Sequence, residues 1–268
     1  MAAADVVATG DADAASPLRH PAFAALAPWL DDGLDRLSLD RLNDFAAQRV
    51  PQPTTDSGAP VRFVAPDAGA SAIAYESRIL STGEVGTRAE SHHDTFNALC
   101  WIAFPQTKRA CNALHVRHAR ATPGGRGALR DALTLFDESG VIALCADAEL
   151  AALLEARQWK SLFCARRDEA IRALRFFVCG HALYEKLLAP YPGITGRVLV
   201  VPVAMSLFES GTATQRAAAD GGAAPALEAI CSTEEIPPLP LAGIPGWDRR
   251  NASAEFYDDT SVFRPLRQ

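Results

Sequence analysis

The sequence predicts an α+β fold, a single globular domain of short helices with a small sheet that includes a β-hairpin. Helix-like and strand-like stretches alternate without the regular βαβ rhythm of a parallel sheet, and no G-x-G-x-x-G motif occurs. With 268 residues, of which 49% are hydrophobic, the chain is long enough to bury a substantial core. The chain has no internal repeat of about 20–50 residues, which argues against a solenoid or a propeller.

The predicted domain covers residues 19–268, after a disordered tail at residues 1–18. The tail is rich in alanine and lacks the basic and apolar regions of a secretory signal. Within the domain, residues 211–225 are rich in alanine and glycine and are predicted to be a flexible insert. Residues 237–268 carry several aromatic side chains that would be costly to leave in water, so we expect this segment to wrap around the body of the domain.

The first elements follow from hydrophobic periodicity. From residue 21 to 48, apolar side chains recur at helical spacing with a break at Gly33, which predicts two short helices. Brief strands are predicted at residues 61–64 and 73–75, where short apolar runs are bounded by turn-forming residues.

Two helix starts follow in the middle of the chain. Ser91 and Asp94 have the spacing of a capping box, which predicts a helix from residue 92. Pro105 predicts the start of a second helix, because proline is well tolerated at the first helical position. Three polar side chains share one face of that second helix: Lys108, Asn112 and His115.

A β-hairpin is predicted at residues 133–145. Two apolar runs flank the sequence Asp137-Glu138-Ser139-Gly140, in which aspartate and glycine favour a turn and Gly140 can adopt a left-handed conformation. The same patterns predict the remaining elements, which are helices at 148–156, 168–173 and 181–188 and strands at 174–179 and 197–205.

Composition and charge limit the function classes. The net charge of −6 and the pI near 5.5 argue against nucleic acid as a partner, since nucleic-acid affinity depends mainly on neutralising phosphates. The six cysteines form no Cys-x-x-Cys pair and lie mostly in apolar runs, which indicates buried thiols in a reducing compartment. No apolar run approaches the roughly 20 residues needed to span a bilayer. We therefore expect a cytoplasmic protein that does not bind a membrane.

Positive charge is nevertheless concentrated in two stretches, residues 108–130 and 157–175. We interpret them first as solvent-exposed helix faces, because an amphipathic helix needs a polar side. The alternative is a site for a phosphate-bearing ligand or RNA, whose affinity should fall steeply with salt concentration.

The histidines mark the candidate site, because four of the six lie within residues 92–118. His93 and Asp94 fall at a predicted helix start, where the helix dipole favours a neutral imidazole that can bind a metal ion or accept a proton. His181 and Glu185 stand at i and i+4 on a later predicted helix, which can aim both side chains at one ion. The candidate ligands of a divalent metal ion are therefore His93, Asp94, His181 and Glu185. The alternative is that these residues only cap helices and form local hydrogen bonds.

Other polar residues are candidates for catalysis or for substrate binding. Asp137 and Glu138, at the predicted hairpin tip, are candidate acid/base groups, although they could equally stabilise a turn. Asn97 shares a helix face with His93, and Tyr184 precedes Glu185, so both join the candidate catalytic set. The candidates for substrate binding are Lys108, Asn112 and His115, with a solvent-facing stripe as the alternative. No G-x-S-x-G elbow or P-loop occurs, and no cysteine has an obvious adjacent base.

Six separated motifs occur in order along the chain: Tyr75-Glu76-x-Arg78-Ile79, His93-Asp94-x-Phe96-Asn97-Ala98-Leu99-x-Trp101, Phe104-Pro105-x-Thr107-Lys108, Asp131-Ala132-Leu133-Thr134-x-Phe136-Asp137-Glu138-Ser139-Gly140, Gly180-His181-Ala182-Leu183-Tyr184-Glu185-Lys186 and Gly243-Ile244-Pro245-Gly246-Trp247. Together they resemble a bacterial domain-of-unknown-function family, the one numbered three thousand and twenty-five. The resemblance covers most of the chain and implies no known reaction. Some members are labelled transmembrane proteins, although this chain has no run long enough to span a bilayer. An aromatic residue commonly precedes the His-Asp pair of the family, whereas this chain has His92, so we leave His92 out of the candidate ligands.

We predict an enzyme of hydrolytic type, with a small molecule as its partner. In this hypothesis the four candidate ligands hold a metal ion or a water molecule, and Asp137 or Glu138 is the acid or base. The competing hypothesis is a non-catalytic binding or scaffold protein, with a phosphate-bearing molecule as one candidate ligand. The first requires His93 and His181 to converge, and the second expects them to lie far apart, each bonded to local backbone.

Overall fold

A computed structural model describes residues 16–31, 33–67, 69, 71–121 and 127–266. Apart from its last three residues, the predicted tail at 1–18 lies outside the described part of the chain. Over residues 17–29 the backbone forms three consecutive 3-10 turns, each with a proline at its first or second position, where the ring fixes the backbone angle φ. Of the two helices predicted within residues 21–48, only the second is an α-helix.

The described residues contain nine α-helices, most of them short. They are α1 Leu39–Gln48, α2 Ala72–Thr82, α3 His92–Ala103, α4 Pro105–Ala121, α5 Ala128–Ser139, α6 Ala148–Glu155, α7 Arg167–Ala173, α8 His181–Leu187 and α9 Thr212–Ala229. Among the described residues, no helix is both long enough and apolar enough to cross a bilayer.

Within the described ranges, six strands form two sheets. They are β1 Arg62–Val64, β2 Glu84–Gly86, β3 Gly140–Cys145, β4 Leu174–Val178, β5 Thr195–Pro202 and β6 Pro238–Pro240. In the four-stranded sheet the order is β4-β3-β5-β6, where β3 and β5 are parallel and the two outer pairs are antiparallel. The small sheet consists of β1 and β2 in parallel. Helices together with sheets that contain antiparallel pairs confirm the predicted α+β class.

The core surrounds β3 and α3. All six residues of β3 are buried, as expected for an apolar strand that is covered on both faces. Helix α3 is buried around most of its circumference and packs against α8, α4 and α1. The predicted start of α3 is confirmed, since the Ser91 hydroxyl accepts a hydrogen bond from the Asp94 N–H at 3.2 Å. Most of the buried hydrophobic side chains of the described residues belong to one cluster.

The predicted hairpin at residues 133–145 was wrong in its first half. Residues 128–139 form α5, which buries Ala132, Leu133 and Phe136 at helical spacing, and only the second half is a strand. The segment that resembled a hairpin turn is the end of this helix, and Gly140 is extended, with φ of −66°, instead of left-handed. Aspartate, serine and glycine are favoured in a turn and at a helix end alike, so the local sequence could not separate the two.

The strand predicted at residues 73–75 and the flexible insert predicted at 211–225 were also wrong. Residues 73–75 belong to α2, whose first turn is capped by Ser71. Residues 212–229 form α9, in which Ala219 and Ala223 are fully buried. A Cβ atom on Gly222 would lie 2.3 Å from the Cγ1 atom of Val201. The small side chains of this segment therefore permit close packing of the helix on the sheet instead of chain flexibility.

Candidate functional site

A cavity of about 530 Å³ opens between α2, α3, α4, α5 and α8. Its lining contains three histidines and charged groups of both signs. The polar lining residues are Tyr75, Glu76, Arg88, His93, Asp94, Asn97, His115, Arg130, Thr134, Asp137, Glu138 and His181, together with Asp67 at the edge. This volume lies within the range of about 300–1,000 Å³ that is typical of small-molecule sites.

Two histidines that are 88 positions apart in the sequence meet in this cavity. His93 belongs to the first turn of α3 and His181 is the first residue of α8. Their Nε2 atoms lie 3.1 Å apart, and their rings meet edge to face with centroids separated by 4.5 Å. The direct packing of α3 against α8 brings them together. The spatial convergence that the catalytic hypothesis requires is therefore present.

Close backbone packing positions His181. A Cβ atom on Gly180 would lie 2.3 Å from the backbone nitrogen of Gly140, so only glycine fits where β4 turns into α8. The N–H groups of Cys179 and Gly180 both donate to the carbonyl of Gly140 at 2.9 Å. This contact holds the start of α8 against the end of α5 and so places His181 beside Asp137.

The Nδ1 atoms of the two histidines are held by oxygen acceptors. In His181, Nδ1 lies 2.8 Å from the backbone carbonyl oxygen of Asp137 and 3.5 Å from its carboxylate. In His93, Nδ1 lies 3.2 Å from the Glu185 carboxylate. Because these oxygens accept hydrogen bonds, we assign a proton to both Nδ1 atoms. The two Nε2 atoms are 3.1 Å apart, which is a hydrogen-bond distance, so a proton lies between them.

The two histidines differ in their surroundings. Burial lowers the pKa of His181 to about 4, since desolvation outweighs the favourable field of Asp137. His181 is therefore neutral at physiological pH. The side chain of His93 is 38% exposed and borders the Glu185 carboxylate.

A buried ion pair lies beneath the histidines. The Lys108 ammonium donates to the Asp137 carboxylate at 2.5 Å and to Asn97 Oδ1 at 2.8 Å, and the Lys108 side chain is only 7% exposed. Burial alone would raise the pKa of Asp137, but Lys108 and His181 beside it lower that pKa below its usual value. Burial alone would also lower the pKa of Lys108, but Asp137 raises it above its usual value. Both groups therefore remain charged at neutral pH.

Hydrogen bonds connect the ion pair with the histidines in one chain. Asn97 also donates to the Tyr75 hydroxyl at 3.3 Å, which extends the chain to α2. Neighbouring members of the chain are bonded in this order: Tyr75, Asn97, Lys108, Asp137, His181, His93 and Glu185. Five helices contribute residues to this series of hydrogen bonds, so a shift of any one helix would interrupt the series.

Residues 61–267 match the family described as "Protein of unknown function (DUF3025)". The chain belongs to this family. Every residue that lines the cavity lies within the matched segment, and so do all six motifs that carried the resemblance. No curated protein and no solved structure matches the DUF3025 chain significantly.

Asp94 does not join the histidine pair. Its carboxylate accepts hydrogen bonds from the Arg88 backbone N–H at 2.8 Å and from the Arg88 guanidinium at 2.7 and 2.9 Å. Burial alone would raise the pKa of Asp94, but the bonds from Arg88 lower it below its usual value. The carboxylate thus fixes the segment before α3, a contact that the sequence did not indicate. Among the described residues, no group of three or more His, Cys, Asp and Glu side chains is placed to hold a metal ion.

The residues predicted to bind substrate are buried beneath the cavity instead of facing solvent. Lys108 and Asn112 line a small inner pocket of about 20 Å³, and His115 borders both this pocket and the cavity. Burial lowers the pKa of His115. Helix α2 packs on α4 and covers the polar stripe, which the periodicity of α4 alone could not reveal.

Glu76 is a candidate that the sequence analysis missed. It accepts hydrogen bonds from Asn112 Nδ2, at 2.7 Å to the carboxylate and at 2.9 Å to the backbone carbonyl. Burial raises the pKa of Glu76 to about 7, which suits a group that both donates and accepts protons at neutral pH. The buried Oδ1 atom of Asn112 has no hydrogen-bond partner among the described residues. A helical period over residues 72–82 would have placed Glu76 on the same face as Ile79, and the first of the six motifs includes it.

Of the remaining candidates, Glu138 lines the cavity and Tyr184 does not. Tyr184 is fully buried among Phe23 and Phe96, and its hydroxyl donates to the Val178 carbonyl at 2.5 Å. It is therefore a core residue, which corrects its inclusion in the candidate catalytic set. His92, which was left out of the candidate metal ligands, does not line the cavity. Its Nε2 atom lies 3.4 Å from the Asp35 carboxylate.

Proposed function

We propose that the DUF3025 domain is an acid–base enzyme of hydrolytic type, in which the His93–His181 pair activates a water molecule against a small polar substrate in the cavity. One observation carries the proposal. The two Nε2 atoms converge at 3.1 Å while both Nδ1 atoms are held by acceptors. Such a pair is oriented in advance to take up one proton, as histidine bases of hydrolases are oriented by a partner at the other ring nitrogen.

The proton transfers follow from the contacts. After the pair has released its shared proton, a water O–H bond breaks and the proton takes the position between the two Nε2 atoms. The water oxygen bonds to the electrophilic centre of the substrate, and the bond from that centre to the leaving group breaks. Glu185 stabilises the imidazolium on His93, and Asp137 keeps His181 in the tautomer that accepts a proton at Nε2. Glu76 lines the same cavity and is partly protonated near pH 7, so it can supply a proton to the leaving group.

A metal-dependent form of the same chemistry is the second candidate. Histidines that bind metals commonly donate their other N–H to a carboxylate or a backbone carbonyl, as His93 and His181 do here. These two Nε2 atoms would hold a divalent ion in place of the shared proton, and the ion would lower the pKa of a bound water. Most catalytic zinc sites have three protein ligands, so a metal on this pair would take its other ligands from water or substrate.

The activity test compares histidine variants on chromogenic esters and phosphates. We expect His93→Gln and His181→Gln each to reduce turnover at least about a hundredfold, the scale of losing a general base. The matched control is His92→Gln, because His92 adjoins His93 on α3 but does not line the cavity. Equal activity in all three variants would contradict the proposal, and so would equal loss in all three.

Zinc titration by calorimetry separates the two candidates. In the metal-dependent form, wild type and His92→Gln bind one zinc ion per chain, and His93→Gln and His181→Gln do not. In the form that uses only a proton, none of the four proteins shows stoichiometric binding, and turnover resists chelators. A hydrolase activity that is unchanged in all the histidine variants would leave the binding or scaffold hypothesis in place.

A further inference from the structure

A second and larger cavity, of about 860 Å³, shares no lining residue with the first. It lies at the edge of the four-stranded sheet, where β5 meets β6, and the residues after α6 and the C-terminal segment complete its lining. Three arginines from distant parts of the chain meet there: Arg157, Arg197 and Arg264.

These arginines form no ion pairs in the described part of the chain. By contrast, ion pairs are formed there by Arg62, Arg78, Arg88, Arg166 and Arg250. Glu234 also lines the cavity, yet it forms no ion pair with the three arginines among the described residues. Burial, and then the positive charge of Arg157, lower the pKa of Arg197 below its usual value. Two half-buried guanidinium groups thus repel each other across the cavity.

Arg157 adds an independent observation from its side chain. Its backbone, with φ of 55°, forms the left-handed cap that ends α6. Its Nε atom is buried and has no hydrogen-bond partner among the described residues. A buried N–H donor of a charged group without an acceptor is costly, and a bound anion would remove that cost.

We propose that this cavity binds a small phosphate-bearing molecule through Arg157, Arg197 and Arg264. The guanidinium group presents donors in a planar fork that matches phosphate oxygens, and its charge persists at any physiological pH. Thr195 and Ser261 also line the cavity, but their hydroxyl groups donate to the Gly193 carbonyl and the Asp259 carboxylate, so the arginines supply the donors. The site is separate from the histidine pair, so it does not depend on the proposed hydrolytic function.

Calorimetry with inorganic pyrophosphate at low chloride, on the full chain, tests the site. We expect saturable binding by wild type and at least about tenfold weaker binding by Arg197→Gln and by Arg157→Gln. The matched control is Arg172→Gln, because Arg172 is exposed on α7, away from both cavities, and should bind pyrophosphate as wild type does. Malonate at the same ionic strength should bind more weakly than pyrophosphate.

Thermal unfolding gives a readout that distinguishes a binding site from a structural role. Without ligand, Arg197→Gln should unfold at a temperature equal to or above that of wild type, because one of two repelling charges is removed. Pyrophosphate should raise the unfolding temperature of wild type but not of Arg197→Gln. The proposal is overturned if wild type shows no saturable binding, if Arg172→Gln loses as much affinity as Arg197→Gln, or if malonate binds equally well. His93→Gln should bind pyrophosphate normally, which keeps this test independent of the catalytic proposal.

Discussion

Replacing Lys108 with methionine tests whether the buried ion pair supports the candidate site. Methionine can fill much of the space of the lysine alkyl chain, so the change mainly removes the charge. It leaves the carboxylate of Asp137, which is 23% exposed, without its main counter-charge. Removing one partner of a buried ion pair costs roughly 3–5 kcal/mol, and the partial exposure of Asp137 places our expectation at the lower end, about 3 kcal/mol.

Urea denaturation at several pH values measures this cost. The wild-type pKa of Asp137 is lowered, so the stabilisation by the pair is complete above the ordinary aspartate pKa and is lost as the pH falls through the lowered value. In Lys108→Met the pKa of Asp137 should rise, since Lys108 no longer lowers it. The free-energy difference between wild type and variant should therefore be largest at neutral pH and shrink in acid.

The double variant Lys108→Met/Asp137→Asn is the matched control. It removes both charges, so its loss of stability should be smaller than that of Lys108→Met alone. A loss below about 1 kcal/mol in Lys108→Met, the value typical of a surface pair, would show that the buried pair does not support the fold. A loss that does not change with pH would contradict this role of the pair as well.

Three further changes test the fold and the inner pocket. Burial raises the pKa of Glu76 to about 7, so ionisation of Glu76 destabilises the fold as the pH rises from the pKa of the unfolded chain through 7. Glu76→Gln should remove this pH dependence of the unfolding free energy. The change is worth roughly 2 kcal/mol in urea denaturation between pH 5 and pH 8. Asp220 on α9 accepts hydrogen bonds from two N–H groups at the start of α4, at 2.8 and 3.1 Å, and Asp220→Ala should cost about 2 kcal/mol in the same assay. Gly222→Ala would press a methyl group into Val201 and should cost about 1–3 kcal/mol, while Gly211→Ala, which meets nothing within 4 Å, should be nearly neutral. A variant whose unfolding free energy, or for Glu76→Gln its pH dependence, equals that of wild type would contradict the corresponding prediction.

Features encoded by adjacent residues were predictable from the sequence. Ser91 and Pro105 mark helix starts through the chemistry of the first helical turn, and the structure has helices beginning just after Ser91 and at Pro105. The apolar run that forms β3 was predicted to be a strand as the second half of a hairpin, and the structure confirms the strand but not the hairpin. The α+β class follows from such local signals.

Features that depend on distant contacts were not predictable in the same way. The alanines and glycines of α9 indicated flexibility, although their small size serves close packing on β5. Asp94 matched the spacing of a metal ligand, but Arg88 occupies its carboxylate. The raised pKa of Glu76 depends on burial that only the packing of α2 on α4 creates.

The sequence predicted several residues of the candidate site but not the distances between them. The sequence offered His93, His181, Asp137 and Glu185 because a pair at a helix start and a pair at i, i+4 are local patterns. The sequence could not supply their distances, because the contact between α5 and α8 depends on the missing Cβ atom of Gly180. Tyr184 illustrates the opposite error, since proximity in sequence to Glu185 says nothing about the direction of its side chain.

We propose that His93 and His181 share one proton between their Nε2 atoms. Nitrogen-15 NMR of the imidazole rings, at neutral pH in metal-free wild-type protein, detects such a shared proton. We expect both Nδ1 atoms to be protonated and the two Nε2 resonances to be coupled, so that His93→Gln shifts the Nε2 signal of His181. A His181 ring protonated only at Nε2, or a His181 signal that ignores His93→Gln, would contradict the account.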